Sequence, residues 1–120
     1  IEILGCDRDS RMIAGAKRNA KRAGVSVSLV DADAMTVKPS SDRGLLISNP
    51  PYGLRLKKGQ AYETLGKLLD SRFAGWRAAI ICPDESAIKS IGKKPVDRFR
   101  FSMGGVPLIL AIFESKTAQG

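Results

Sequence analysis

Two short strand-like segments, Ile1–Gly5 and the alternating Val25–Val30, flank a stretch in which Ile13, Ala16, Ala20 and Ala23 recur at helical spacing. This alternation constrains the fold more than any other feature, because a helix joining two strands of one sheet carries the chain back and leaves the strands parallel. Asp9 or Ser10 reads as the helix N-cap and Gly24 as its C-terminal stop. The pattern continues with a third strand at Gly44–Ser48 and a second helix at Ala61–Phe73, its inner face formed by Tyr62, Leu65, Leu68, Leu69 and Phe73. Ala78–Cys82 is a fourth strand, and a short helix follows Pro83-Asp84. Val96–Ser102 and Val106–Phe113 are strands joined across Met103-Gly104-Gly105, where paired glycines suit a tight hairpin. The order β-α-β-β-α-β-α-β-β predicts an α/β fold: a mostly parallel sheet with helices on its faces and a C-terminal antiparallel hairpin.

Composition narrows the partners. The 120 residues suit one domain, and no apolar run is long enough to span a bilayer. Twenty Lys and Arg against twelve Asp and Glu give a net charge of +8, which makes polyanions the leading partner class. His is absent, and Cys6 and Cys82 lack metal-ligand spacing, so zinc sites, His general bases and a disulfide framework are excluded. Both thiols are expected to be buried and reduced in a cytoplasmic protein. The first helix carries Arg11, Lys17, Arg18, Lys21 and Arg22 on its other face, a solvated stripe or an RNA-backbone contact.

Three strands end in polar groups: Asp7, Asp31 with Asp33 two residues on, and Asn49. Ligands of open parallel sheets bind beyond the carboxyl ends of the strands, where one acid can accept from ribose hydroxyls and another from an adenine amino group. Taken singly, Asp7 and Asp9 are turn and capping residues, and Asp31 and Asp33 are loop acids. Their joint placement upstream of Asn49-Pro50-Pro51-Tyr52 favours a nucleoside-binding edge.

That tetrapeptide stops a strand abruptly, because proline cannot donate to a ladder and holds the preceding residue extended. It also presents groups that a nucleobase amine needs. The amine is a poor nucleophile while its lone pair is delocalised into the ring. Two acceptors taking both N–H groups hold it more tetrahedral. The side-chain carbonyl of Asn49 is one acceptor and the main-chain carbonyl of Pro50 the other. Tyr52 offers a stacking face for a base taken out of its helix, and Gly53 permits close backbone approach.

These residues resemble the S-adenosylmethionine-dependent amino-methyltransferases with an Asn-Pro-Pro-Tyr/Phe motif, and more narrowly the catalytic domain of THUMP-associated RNA guanine-N2 methyltransferases. "GCDRDSRMIAGAKRNAKRAGV" is similar to the family's cofactor-ribose strand and following helix, "SNPPYGLRL" to its catalytic loop, and "FAGWRAAIICP" and "RFRFSMGGVPLILAIFE" to its later strand and closing hairpin. The resemblance implies a Rossmann-like class I methyltransferase sheet, S-adenosylmethionine as cofactor, and ribosomal or transfer RNA as partner. Neither a metal nor a membrane is implied. It assigns Asp7 to the cofactor ribose and Asp31, with Asp33 as alternative, to the adenine. Asn49 and Pro50 orient the target amine, Tyr52 stacks on the base, and Arg55 meets RNA phosphate or serves the surface. The family's Gly-rich cofactor loop, the central strand preceding it and its THUMP domain have no counterpart here. Residues 1–120 are therefore expected to be part of a longer catalytic domain, inactive alone. Two rivals stand beside this reading: an adenine-N6 methyltransferase on DNA or RNA, using the same acceptors, and a non-catalytic basic module that binds RNA.

Overall fold

Between residues 4 and 31 the chain forms the expected strand-helix-strand unit: β1 (Leu4–Asp7), α1 (Ser10–Ala23) and β2 (Ser28–Asp31), followed by a 3-10 turn at Ala34–Thr36. The computed structural model describes residues 2–50 and 59–115. From residue 45 onward come β3 (Leu45–Ser48), α2 (Gln60–Asp70), β4 (Arg77–Cys82), α3 (Glu85–Ile91), β5 (Asp97–Met103) and β6 (Val106–Glu114). The chain divides into two units, Ile1–Val37 and Lys38–Gly120. Among the described residues no helix is long and apolar enough to cross a membrane.

In the first unit β1 and β2 are parallel, with Leu4 opposite Ser28 and Asp7 opposite Asp31. α1 starts where extended Asp9 accepts the Arg11 N–H at 2.9 Å. It ends at Gly24, whose φ of 71° is left-handed and whose N–H donates to the Ala20 and Lys21 carbonyls. The Val25 N–H also returns to the Ala20 carbonyl, 3.1 Å away, so residues expected to open the second strand complete the helix cap instead. The first strand likewise runs later than expected, through Cys6 and Asp7, because both have ladder partners in Val30 and Asp31. Of the four residues expected on the inner face of α1, Ile13 is buried, Ala16 and Ala20 are half-buried, and Ala23 is exposed.

The second unit carries a four-stranded sheet in the order β3-β4-β6-β5. β3 is parallel to β4, and β6 is antiparallel to both its neighbours. The alternation of β4 and β6 sends Ala78, Ile80, Cys82, Ile109, Ala111 and Phe113 to one face, where all are buried. The core completes itself with Leu65, Leu68 and Leu69 of α2 and Ala87, Ile88 and Ile91 of α3. Each fully buried Leu, Ile or Phe stabilises by about 1.5–3 kcal/mol. The two helices approach closely at Gly66, where a Cβ would stand 1.9 Å from the Ile91 carbonyl oxygen.

α2 stops at Asp70, three residues earlier than its apolar pattern predicts. Ser71 leaves helical geometry, and the Phe73 N–H folds back to the Leu68 carbonyl at 2.9 Å. Phe73 stays buried nonetheless, meeting Trp76 edge-on with ring centroids 5.0 Å apart. The opposite sheet face carries Leu45, Ile47, Phe99 and Met103, all more than half exposed. The closing hairpin turns through Gly104 and Gly105, both at positive φ, between the paired residues Met103 and Val106. This is the two-residue primed turn that the glycine pair predicts.

Candidate active site

The parallel register of β1 and β2 brings Asp7 and Asp31 to the same level at the carboxyl ends of adjoining strands. Neighbouring strands lie about 4.8 Å apart, so this end of the unit presents two carboxylates side by side. The Ala32 N–H extends the ladder past them by donating to the Asp7 carbonyl at 3.0 Å. One carboxylate oxygen of Asp7 accepts the Asp9 N–H at 2.8 Å, which fixes the side chain across the turn into α1. Asp31 makes no hydrogen bond or ion pair with another described residue. Its acceptors are open, whereas Asp33 is committed. As cap of the 3-10 turn, Asp33 accepts the Met35 N–H at 2.9 Å, and its other oxygen lies 3.8 Å from Arg8 Nε.

Asp9 caps α1, as the sequence predicts. Its pKa lies below the ordinary carboxylate value, held there first by the Arg11 side chain and then by the Arg11 N–H. Cys6 departs from expectation. It is exposed rather than buried. Its thiol pKa is nevertheless raised, first by partial loss of water and then by the charges of Asp7 and Asp33. The negative field at this strand end therefore acts on a third group. Cys82 is buried as expected. Arg8, which sequence reasoning passed over, sits between two acids in Asp7-Arg8-Asp9 and faces Asp33, a pairing that only the turn geometry reveals.

In the second unit, β3 ends at Ser48 and Asn49 follows directly. Asn49 is exposed and makes no hydrogen bond with another described residue, while Pro50 is buried. The buried ring anchors the chain just where its own geometry holds Asn49 extended. The result is an amide presented at the carboxyl end of a strand whose parallel neighbour is β4. Pro51, Tyr52, Gly53 and Arg55 lie outside the described residues.

Two open acceptors at the Asp7 and Asp31 end suit a ligand rich in N–H and O–H donors, and they disfavour an anion. That donor set fits the hydroxyls of a ribose and the amino group of an adenine. Among the described residues no group of His, Cys, Asp and Glu could hold a metal ion.

A family model described as the RMKL-like methyltransferase domain matches residues 1–110. "Ribosomal RNA large subunit methyltransferase K/L" of Shewanella baltica is 38% identical over 120 residues, covering 94% of this chain and 17% of that protein. The chain thus spans about a sixth of the length of that curated relative. Among solved structures, SMU.472 complexed with SAH superposes with a TM-score of 0.85 at 28% identity, over 98% of this chain and 33% of that one. A "predicted N6-adenine-specific DNA methylase" of Listeria monocytogenes gives a TM-score of 0.77 at 25% identity, over 94% of this chain and 30% of that one. The α/β arrangement is accordingly similar to that of class I methyltransferase structures, as the family resemblance implies.

Proposed function

Because the chain belongs to the RMKL-like methyltransferase domain family, we propose that it is part of the catalytic domain of a cytoplasmic, S-adenosylmethionine-dependent RNA methyltransferase. The target is the N2 amine of a guanine in ribosomal or transfer RNA, presented with help from a THUMP-type domain elsewhere in the longer protein. The observation that carries this reading is the position of Asp7, Asp31 and Asn49, each at the carboxyl end of a strand.

Bound at the Asp7 and Asp31 end of the first unit, S-adenosylmethionine would supply an electrophilic methyl group on a sulfonium. Asp7, with one oxygen held by the Asp9 N–H, uses the other to accept from the ribose hydroxyls. Asp31 accepts from the adenine amine. Asn49 Oδ1 and the Pro50 carbonyl take the two N–H groups of the target amine and leave its lone pair free. Tyr52 supports the base by stacking. No metal and no covalent enzyme intermediate enters.

Asn49→Ala in the full-length enzyme lowers the methylation rate roughly a hundredfold, in line with the loss of one preorganised hydrogen-bond partner, while cofactor affinity stays within about twofold. Rates equal to wild type would refute the assignment. An adenine-N6 target is the second reading, supported by the name of the Listeria monocytogenes protein and by the equal fit of both amines to two acceptors. Mass analysis of methylated nucleosides separates N2-methylguanosine from N6-methyladenosine.

A further inference from the structure

In the first unit Arg8 and Arg11 pair with acids, whereas four cations further along α1 have no described acid beside them. Four of the unit's acids, Asp7, Asp9, Asp31 and Asp33, gather at the carboxyl ends of β1 and β2. Lys17, Arg18, Lys21 and Arg22 lie in the second half of α1, about 12–20 Å along the helix from its Asp9 cap. At 3.6 residues per turn, these four cations fall within an arc of roughly 140°, and buried Ile13 lies just outside it, about 40° beyond Lys17. All four are exposed, and none forms an ion pair or hydrogen bond with another described residue through its side chain. The helix itself contains no acid.

A solvated helix face ordinarily relieves its charge by pairing opposite signs at i, i+4. Here both i, i+4 pairs, Lys17 with Lys21 and Arg18 with Arg22, are like-charged and cost the helix stability. Lys21 and Arg22 recover some of this from the helix dipole in the last turn. Lys17 and Arg18 stand a turn too early to do so. A locally unfavourable cluster of uncommitted cations is the complement of a row of phosphates.

We infer that the Lys17, Arg18, Lys21 and Arg22 face of α1 is a docking surface for the phosphodiester backbone of the RNA substrate. The inference rests on the reading of RNA as the substrate and adds a contact remote from the Asp9 end of the helix. Contact is to the backbone, so it is independent of base sequence and of cofactor.

The test uses a fluorescently labelled RNA hairpin and follows binding by anisotropy between about 50 and 200 mM salt. The variant Lys17→Gln/Arg18→Gln/Lys21→Gln/Arg22→Gln is compared with Lys38→Gln/Arg43→Gln/Lys89→Gln/Lys94→Gln, which lowers the net charge equally at exposed positions elsewhere. The first variant loses at least about tenfold in affinity at the lower salt, and the slope of log K against log salt falls by about 3. The second stays close to wild type. Circular dichroism of the first variant shows helicity equal to or above wild type, since like-charge repulsion has been removed.

Equal losses in both variants, or no loss in the first, would overturn the surface, as would binding to phosphatidylserine vesicles without binding to RNA. Methylation by the full-length enzyme is scored separately. Activity with an unaffected α1 variant sinks the surface and spares the function. α1-dependent RNA binding without methylation of any RNA does the reverse.

Discussion

The unit ending at Val37 holds its shape through caps and ladder hydrogen bonds, with Ile13 as its one buried apolar side chain among the described residues. The unit from Lys38 onward buries fifteen described hydrophobic side chains, besides Pro50, around α2, α3 and the β4–β6 pair. Both carry candidate site residues, but they support them differently. Asp7 is positioned by strand pairing and the Asp9 N–H, interactions local in sequence and open to water. Asn49 and Pro50 continue a strand whose partner, β4, lies against the core. Packing changes therefore reach Asn49 through the sheet, whereas Asp7 responds to changes in caps and charges.

The sharpest way to break this contrast is to make one substitution in both helices. At Gly66 a Cβ would collide with the Ile91 backbone, so Gly66→Ala destabilises the second unit by about 3 kcal/mol. Trp76 is the sole tryptophan, and its fluorescence in a urea titration reports the loss. At Gly15 the nearest atom is a flexible Arg18 nitrogen 3.6 Å away, so Gly15→Ala stabilises α1 by roughly 0.5–1 kcal/mol, read from slower amide exchange along the helix. The same sign at both sites would show that the first unit is as tightly packed as the second.

Thiol chemistry should separate the units next. Burial, and then the charges of Asp84 and Glu85, push the Cys82 pKa up to about 11. Near neutral pH iodoacetamide therefore modifies exposed Cys6 slowly and leaves Cys82 untouched until the chain unfolds. Because the folded pKa of Cys82 is the higher one, its contribution to stability is intact below the unfolded thiol value of about 8.5 and is lost as pH rises toward the folded value. Modification of Cys82 in the folded chain would contradict the closed core.

The smallest effect belongs to Asp9, whose folded pKa is depressed. Its support of α1 is complete above the unfolded carboxylate value of about 3.9 and disappears as pH falls through the folded value. The Arg11 amide resonance should follow that titration, while amides of β4 and β6 should not.

The order of elements and the polar strand ends were legible because each rests on local chemistry: helical spacing around Ile13, the Gly104-Gly105 turn, and prolines after Asn49. What was not legible depended on neighbours distant in sequence. Phe73 reads as helix because it is apolar and in phase, yet it is buried through Trp76 after the helix has ended. Cys6 reads as buried because it sits in an apolar run, but burial requires a covering layer that a local pattern cannot supply. The capping role of Asp33 was equally hidden, since only the 3-10 turn reveals that one of its oxygens accepts the Met35 N–H.

The strand order also bears on how the chain is made. Among the described strands β6 is synthesised last, yet it lies between β4 and β5 and contributes Ile109, Ala111 and Phe113 to the core. During translation, at about 5–20 residues per second, α2, β4 and α3 are produced before β6, the ladder neighbour of β4, exists. Hairpin closure through Gly104 and Gly105 takes on the order of microseconds, so β5 and β6 can enter together once both are released. Until that moment the apolar side chains of β4 await a partner, and a nascent chain stalled before Val106 is the natural client of a holding chaperone.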